Sequence, residues 1–503
     1  MRVKLKSPIG SRVSTKMQFL RLSLLAIGMI ALSIMPGCQP ELAPPKNGKQ
    51  KAVPKSAKRF EKYKDHNLVF VSFDALQAGH VGCLGYDRDV TPNLDAFAEK
   101  SHSFSQASSV ASWTVPASMT WFTGVFPSEH RMTNKFAVWN AEEQKLANLK
   151  ELAPELLTLA DILKANGYVT GGFTGNAGVS GGFGYEQGFD VYYYPKNKFG
   201  KMEASIPRAL EWLKKNKDKK FFLFLHGYDI HGQSTPTNGF DYRYVDQDYD
   251  YKFTGAELEQ EVLREEGLAK GQLTLRDADV QFWRDVYDEK INRTDRRFGR
   301  FLKEFDKLGL GDKTLFVLTS DHGTELYEHR RFDHGFTLYG ELINVPLIVR
   351  LPEQTVGTVI PDRVSSIDVM PTILDLLDVK LSDKAKRQLQ GKSLVPALNG
   401  TPVKRDVISE TNYRDYTYKR SIITADDWKL IYTLEMKTRE LYNLKDDPDE
   451  RNNLAQDEAE IADRLQKKLF AHFKSIGHDL TKRNWKVGLN PVYRSQGAPK
   501  PDK

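Results

Sequence analysis

The sequence predicts an α/β protein: a large, doubly wound, mostly parallel sheet flanked by helices, then a small C-terminal antiparallel sheet with one helix. Three observations predict it. Four apolar runs, NLVFVSF (67–73), FFLFLH (221–226), TLFVLTS (314–320) and VPLIVRL (345–351), are nearly continuous rather than alternating, the pattern of strands buried on both faces. Helical patterns lie between them: IPRALEWLKKN (206–216) precedes the second run, and Trp283, Val286, Tyr287, Ile291, Phe298, Leu302 and Phe305 recur at helical spacing before the third. After about residue 400 the character changes to short strand-like pieces, RSIITADDWKLIY and TRELYNL, then a turn and a helix near 454–475 with Leu454, Ile461, Leu465, Leu469 and Phe473 on its apolar side.

The N-terminus is of a different kind. Residues 1–37 carry six Lys/Arg and no acid, and an uncharged apolar run from Leu22 to Met35 follows the basic stretch. The run is shorter than the ~20 residues of a membrane span and fits the apolar core of an export signal. It ends in IMPGC, which resembles the lipobox of bacterial lipoproteins, with Gly37 before the cleaved bond and Cys38 as the lipidated residue; Pro36 departs from the usual small residue. The other reading is an uncleaved anchor. Either places the body outside the cytoplasm, tethered to a membrane. Residues 38–66 are polar and rich in Pro and Lys, the composition of a flexible spacer. The expected order is thus signal (1–37), linker (38–66), catalytic domain (67–400), C-terminal α+β subdomain (401–480) and an irregular tail (481–503).

Charge and cysteine count bound the partners. Of 73 Lys+Arg, fourteen lie in residues 1–66 against three acids, so the rest of the chain is slightly acidic and the net +7 implies no nucleic-acid partner. Only two Cys exist; with Cys38 lipidated, Cys83 is alone and no intramolecular disulfide is expected. The segment 236–275, rich in Tyr, Asp and Glu, reads as a surface insertion over one end of the sheet, near the mouth of a site that takes a small-molecule, glycan or lipid ester. The oligomeric state is left open.

Ligand sites in open α/β sheets gather beyond the carboxyl ends of the strands. The first run is followed by Asp74, the second by His226, Asp229 and His231, the third by Asp321 and His322. A lone Asp there is usually a cap or a surface acid. Three strands delivering Asp and His to one edge instead suit a divalent cation.

At this point the chain resembles the sulfatase family of the alkaline phosphatase superfamily. NLVFVSFDALQAGHVGCLGY…TPNLDAFA looks like the family's opening strand with its metal-binding Asp. TLFVLTSDHGTEL is similar to its second metal segment, HGFTLYGELINVPLIVRLP and SIDVMPTILDLL…QGKSLVPALNG to the following strand and helix, and WKLIYTLEMKTRELYNLKDDPDERNNLA to its C-terminal subdomain. The likeness spans roughly 67–475. It implies an alkaline phosphatase-like fold and a metal-dependent hydrolase of sulfate or phosphate esters using one divalent ion (Ca, Mn, Mg or Zn), with Asp74, Asp321 and His322 as ligands, or two.

The resemblance also places the nucleophile. ASWTVPASMTWFTG (111–124), registered on the family's closing Thr-Gly, puts Thr114 where sulfatases carry the Cys or Ser that becomes formylglycine, Pro116 at their Pro, and Ser118 at their Arg. Thr cannot become formylglycine; relatives with Thr here attack phosphorus through a metal-ligated hydroxyl. Ala75 stands where many sulfatases have a second Asp, His334 about where they place an anion-binding Lys, and His231 at the family's mid-chain His. His231 and His334 are the general-acid candidates. Asp229, His226 and Asn176 are candidates for a second metal or for substrate, with a turn residue as the plainer reading of Asn176. Four functions are compatible with this pattern: hydrolysis of phosphate mono- or diesters or phosphonates through Thr114; sulfuric ester hydrolysis; phospho-group transfer to envelope glycans or lipids; and a non-catalytic binding lipoprotein, kept open by Ala117, Ser118 and Thr324 where relatives are more polar.

Overall fold

In chain order the principal strands are β1 (Asn67–Phe73), β2 (His102–Ser108), β3 (Val169–Phe173), β4 (Val191–Tyr193), β5 (Phe221–Gly227), β6 (Thr314–Ser320), the short ribbon β7 (Glu325–Leu326) and β8 (Phe332–Asp333), then β9 (Leu347–Arg350) and β10 (Thr358–Ser365). Apart from the ribbon they form one eight-stranded sheet in the order β10-β2-β9-β6-β1-β5-β3-β4. All neighbours are parallel except β9, which runs antiparallel to both β2 and β6. The computed structural model describes residues 62–133, 138–140, 145–147, 152–195, 199–232, 241–413 and 417–482. The export segment, Cys38, nearly all of the spacer, residues 236–240 of the insertion and the tail from 484 lie outside them.

The four apolar runs are the middle of this sheet, and their near-continuous hydrophobicity has the expected cause. Leu68 and Phe70 of β1 face one core, with Trp121, Phe122 and Phe224; Val69, Val71 and Phe73 face the other, with Phe298, Phe301 and Phe305. Each such side chain, removed from water, contributes about 1.5–3 kcal/mol. Strands β2, β3, β4 and β10 escape a periodicity reading. HSFSQAS is mostly polar, and VTGGF carries two glycines. Gly171 is required there, since a Cβ would sit 2.7 Å from the Trp212 ring.

The helices that matter most to the architecture are α1 (Thr114–Thr123), α2 (Met202–Asn216), α3 (Glu257–Lys270), α4 (Asp277–Asp306), α5 (Val369–Leu376) and α6 (Ala459–Ser475). Every residue of α1 is buried, which accounts for its lack of a polar face. Over its described residues the segment 236–275 is mostly exposed or partly exposed, as expected of an insertion, but it is also anchored in the core. Its helix α3 buries Gln260, Leu263 and Arg264, Leu263 joining the core beneath the sheet. Among the described residues no helix is long and apolar enough to cross a membrane.

The C-terminal sheet is antiparallel, formed by β11 (Val407–Tyr413), β12 (Thr417–Ile423), β13 (Trp428–Thr433) and β14 (Thr438–Asn443). Leu465, Leu469 and Phe473 of α6 pack on it, sharing a cluster with Val110, Ala111 and Ala117 beside Thr114. The amide of Glu410 donates to the Val110 carbonyl at 2.8 Å. The loop that presents Thr114 is therefore clamped between the two sheets.

Candidate active site

Register brings the acidic groups together. β1 and β6 pair in parallel with Phe73 opposite Ser320, so the next residues, Asp74 and Asp321, emerge side by side. β5 pairs on the other side of β1 with His226 opposite Ser72. Asp74, Asp321 and His322 are fully buried, and one ligand atom from each lies within 4.8 Å of the others.

Thr114 is the first residue of α1, after an extended Trp113. Its hydroxyl is 3.2 Å from Asp74 Oδ2, to which it donates, and 3.2 Å from His322 Nε2. The positive end of the buried helix favours negative charge on that oxygen. The methyl side of Thr114 rests on Gly178, where a Cβ would come within 2.9 Å of Cγ2. Asn176 precedes the same short turn, Ala177–Val179, so its segment meets the site through a glycine.

The imidazoles are oriented by their second nitrogens. His322 Nδ1 donates to the Gly323 carbonyl at 2.6 Å, which leaves Nε2 as the lone-pair atom facing Thr114. His226 Nδ1 meets Ser72 Oγ at 3.2 Å, and its Nε2 points at Asp74 Oδ2, 3.8 Å away. Burial pushes both rings down to about 4, so both are neutral ligand-type imidazoles. Burial alone would raise the Asp321 carboxyl, but His322 and His226 beside it hold it below the usual range. Asp321 Oδ1 accepts from the amides of Ala75 at 3.1 Å and His322 at 2.9 Å. Among the described residues Asp321 Oδ2 and His226 Nε2 have no hydrogen-bond partner. Two orphaned buried donor atoms beside two carboxylates fit a divalent cation with mixed oxygen and nitrogen ligands.

His231 and His334 complete the pocket. His231 stacks on Phe199 at 4.9 Å, and its Nε2 is 3.8 Å from Asp74 Oδ1. The His334 ring lies 4.4 Å from that of His322 and 4.9 Å from that of His231.

Other expected residues have different work. Asp229 is not a ligand: Oδ1 is 2.5 Å from Arg297 Nη1 and Oδ2 accepts from the Met202 amide at 2.7 Å, so both oxygens are used and the charge is neutralised. A second metal set built on it is thereby lost. Ser118 is closed off: its hydroxyl donates to the Thr114 carbonyl at 2.5 Å and lies 2.8 Å from the Tyr185 hydroxyl. Ala117 packs in the inter-sheet core, and the carbonyl of Thr324 accepts from the Gln77 amide nitrogen. Ala75 adopts φ 60, a left-handed conformation that turns its amide onto Asp321 and that Tyr287 pins by donating to the Ala75 carbonyl at 2.6 Å.

Sequence reasoning did not single out Lys290, Tyr185 or Gly178. Lys290 is buried in α4, donates to the carbonyls of His231 and Gly232 at 3.4 and 3.2 Å, and is pushed down to about 7 by burial. No local signal marks it, because α4 reads as an ordinary amphipathic helix.

Comparison with known proteins identifies the family. The Sulfatase family model matches residues 66–379, and the N-sulphoglucosamine sulphohydrolase C-terminal model matches 327–475. An N-acetylglucosamine-6-O-sulfatase of Bacteroides thetaiotaomicron is 24% identical over 487 residues, covering 78% of this chain and 83% of that protein. The multifunctional alkaline phosphatase superfamily protein PehA of Trinickia caryophylli is 28% identical over 326 residues, covering 55% and 62%. The crystal structure of a phosphonate monoester hydrolase of Agrobacterium radiobacter superposes with a TM-score of 0.64 at 19% identity, covering 82% of this chain and 96% of that one, a likeness of fold.

Proposed function

The chain belongs to the sulfatase family and is an ester hydrolase, and from that premise we propose that it cleaves phosphate mono- or diesters, or phosphonates, with Thr114 as nucleophile. The observation that carries this reading is the placement of a gene-encoded hydroxyl 3.2 Å from both Asp74 and His322. A divalent cation held by Asp74, Asp321, His322 and His226 would lower the hydroxyl's pKa and neutralise charge on the substrate oxygens. Thr114 Oγ1 releases its proton along its bond to Asp74 and attacks phosphorus. The bond to the leaving oxygen breaks, and that oxygen keeps the electron pair and takes a proton from His334 or His231. Water then attacks phosphorus and gives a proton to that neutral imidazole, while the bond to Thr114 Oγ1 breaks and this oxygen takes its proton back from Asp74.

The experiment strips the purified protein of metal, restores Ca²⁺, Mg²⁺, Mn²⁺ or Zn²⁺, and assays nitrophenyl phosphate, bis-nitrophenyl phosphate, phenylphosphonate and nitrophenyl sulfate against Thr114→Ala. Turnover of the phosphorus esters that needs both metal and Thr114 supports the reading; turnover of sulfate alone overturns it. Sulfuric ester hydrolysis is the second reading, favoured by the C-terminal sulphohydrolase match and by the likeness to an N-acetylglucosamine-6-O-sulfatase. Anchoring through Cys38 is part of the proposal and is tested by incorporation of labelled fatty acid into the wild type but not into Cys38→Ala.

A further inference from the structure

Arg264 lies in the segment whose sequence reads as a surface insertion, yet it is only 3% exposed. Its Nη1 is 3.0 Å from Oδ2 of Asp333, itself 1% exposed. Glu265 accepts from Nε and Nη2 at 3.1 and 3.0 Å, and Glu261 from Nη2 at 3.4 Å. The other oxygen of Asp333 meets His334 Nδ1. Asp333 takes φ 78, a left-handed conformation that strains a residue with a Cβ. A buried ion pair is weak evidence for stability, since apolar groups of similar volume do as well. Strain and buried charge converge here on one ring, which stacks 4.4 Å from His322 and meets His231 edge-on at 4.9 Å.

We propose that Arg264 is a positioning residue, which through the ion pair of Asp333 with His334 holds that ring at the site with Nε2 left for the leaving oxygen. This rests on the reading that His334 serves the departing group. As the ester bond breaks, the leaving oxygen keeps its electron pair and takes the Nε2 proton, giving an alcohol and a neutral ring. Asp333 stays beside Nδ1 throughout, and Arg264 compensates the carboxylate so that it stays charged. The cation that helix α3 brings acts two residues removed from substrate, through Asp333 and His334.

The test compares Arg264→Met and Arg264→Lys with the unsubstituted, metal-loaded full chain on the nitrophenyl and methyl esters of whichever acid the enzyme turns over. Nitrophenolate leaves unaided; methoxide needs the proton. Arg264→Met is expected to lose roughly 10²-fold in kcat on the methyl ester and little on the nitrophenyl ester, with Arg264→Lys restoring part of the loss. The spared nitrophenyl turnover reports that the variant is folded. Equal losses on the two esters, or no loss on either, overturn the proposal. Absence of Thr114-dependent turnover in the unsubstituted protein is a different result, and it removes the reading beneath.

Discussion

Nε2 of His322 lies 3.2 Å from the hydroxyl of Thr114, across 208 residues of sequence. The hydroxyl thus shares its surroundings with the atoms best suited to hold a cation. The Thr114 methyl fixes this rotamer by resting on Gly178. Gly178→Ala places a carbon 2.9 Å from Cγ2 and 3.1 Å from the Tyr228 hydroxyl, and is expected to lower kcat by roughly 10-fold by displacing the nucleophile. Combining it with Thr114→Ser, which removes the methyl, restores part of the loss. A double-mutant cycle with purely additive effects would contradict the contact.

A divalent cation held by Asp74, Asp321 and His322 would stabilise the fold. Without a cation, Asp74 and Asp321 are buried carboxylates side by side. A chelator is therefore expected to lower Tm by several degrees, as linkage requires for a ligand bound to the native state alone at about 100-fold its Kd. Asp321→Asn abolishes both metal-dependent turnover and the metal-dependent rise in Tm, while its metal-free Tm equals or exceeds that of the wild type. Differential scanning calorimetry with and without chelator reads both.

The position at which sulfatases carry Arg is not a vacancy that a substitution refills. Ser118 is fully buried between the Thr114 carbonyl and Tyr185. Ser118→Arg forces a cation into that space and is expected to cost more than about 4 kcal/mol. Ser118→Ala costs about 1 kcal/mol, because Tyr185 keeps its 2.8 Å bond to the Val115 carbonyl. Urea titrations of the two variants distinguish these outcomes.

Much of the site was legible in the sequence because strand ends are where side chains converge. Asp74, His226, Asp321 and His322 directly follow, or end, apolar runs, and those runs are neighbours in the sheet. Asp229 misled because it has the same address, and only the fold shows Arg297, 68 residues away, closing on it. Arg264 and Lys290 lay beyond sequence reading for a related reason. A buried cation on an amphipathic helix is locally indistinguishable from a solvated one, and its partners, Asp333 and the carbonyls of His231 and Gly232, come from distant segments. Strands β2 and β10 were silent because polar residues sit among their buried ones.

Two buried imidazoles outside the metal site contribute to acid stability in the same sense as His226 and His322. Burial pushes His130 down to about 3 and His102 to about 4, from 6.5 when unfolded. Each is neutral in the native state, so its contribution is complete above 6.5 and is lost as pH falls toward those values. His130 has a specific reason to resist charging, since its Nδ1 accepts from the Met132 amide at 3.1 Å. Tm measured in chelator should fall steadily as pH drops below 6.5; a flat profile from there to about 4 would show that these rings are accessible to protons.

In the proposed mechanism Thr114 forms the covalent bond to phosphorus. The direct measurement is mass spectrometry of peptides from the metal-loaded enzyme, acid-quenched during turnover of nitrophenyl phosphate. A phosphoryl group on Thr114 is expected, absent from Thr114→Ala, whose turnover falls by roughly 10³-fold or more. Unmodified Thr114 together with wild-type turnover by Thr114→Ala would contradict it.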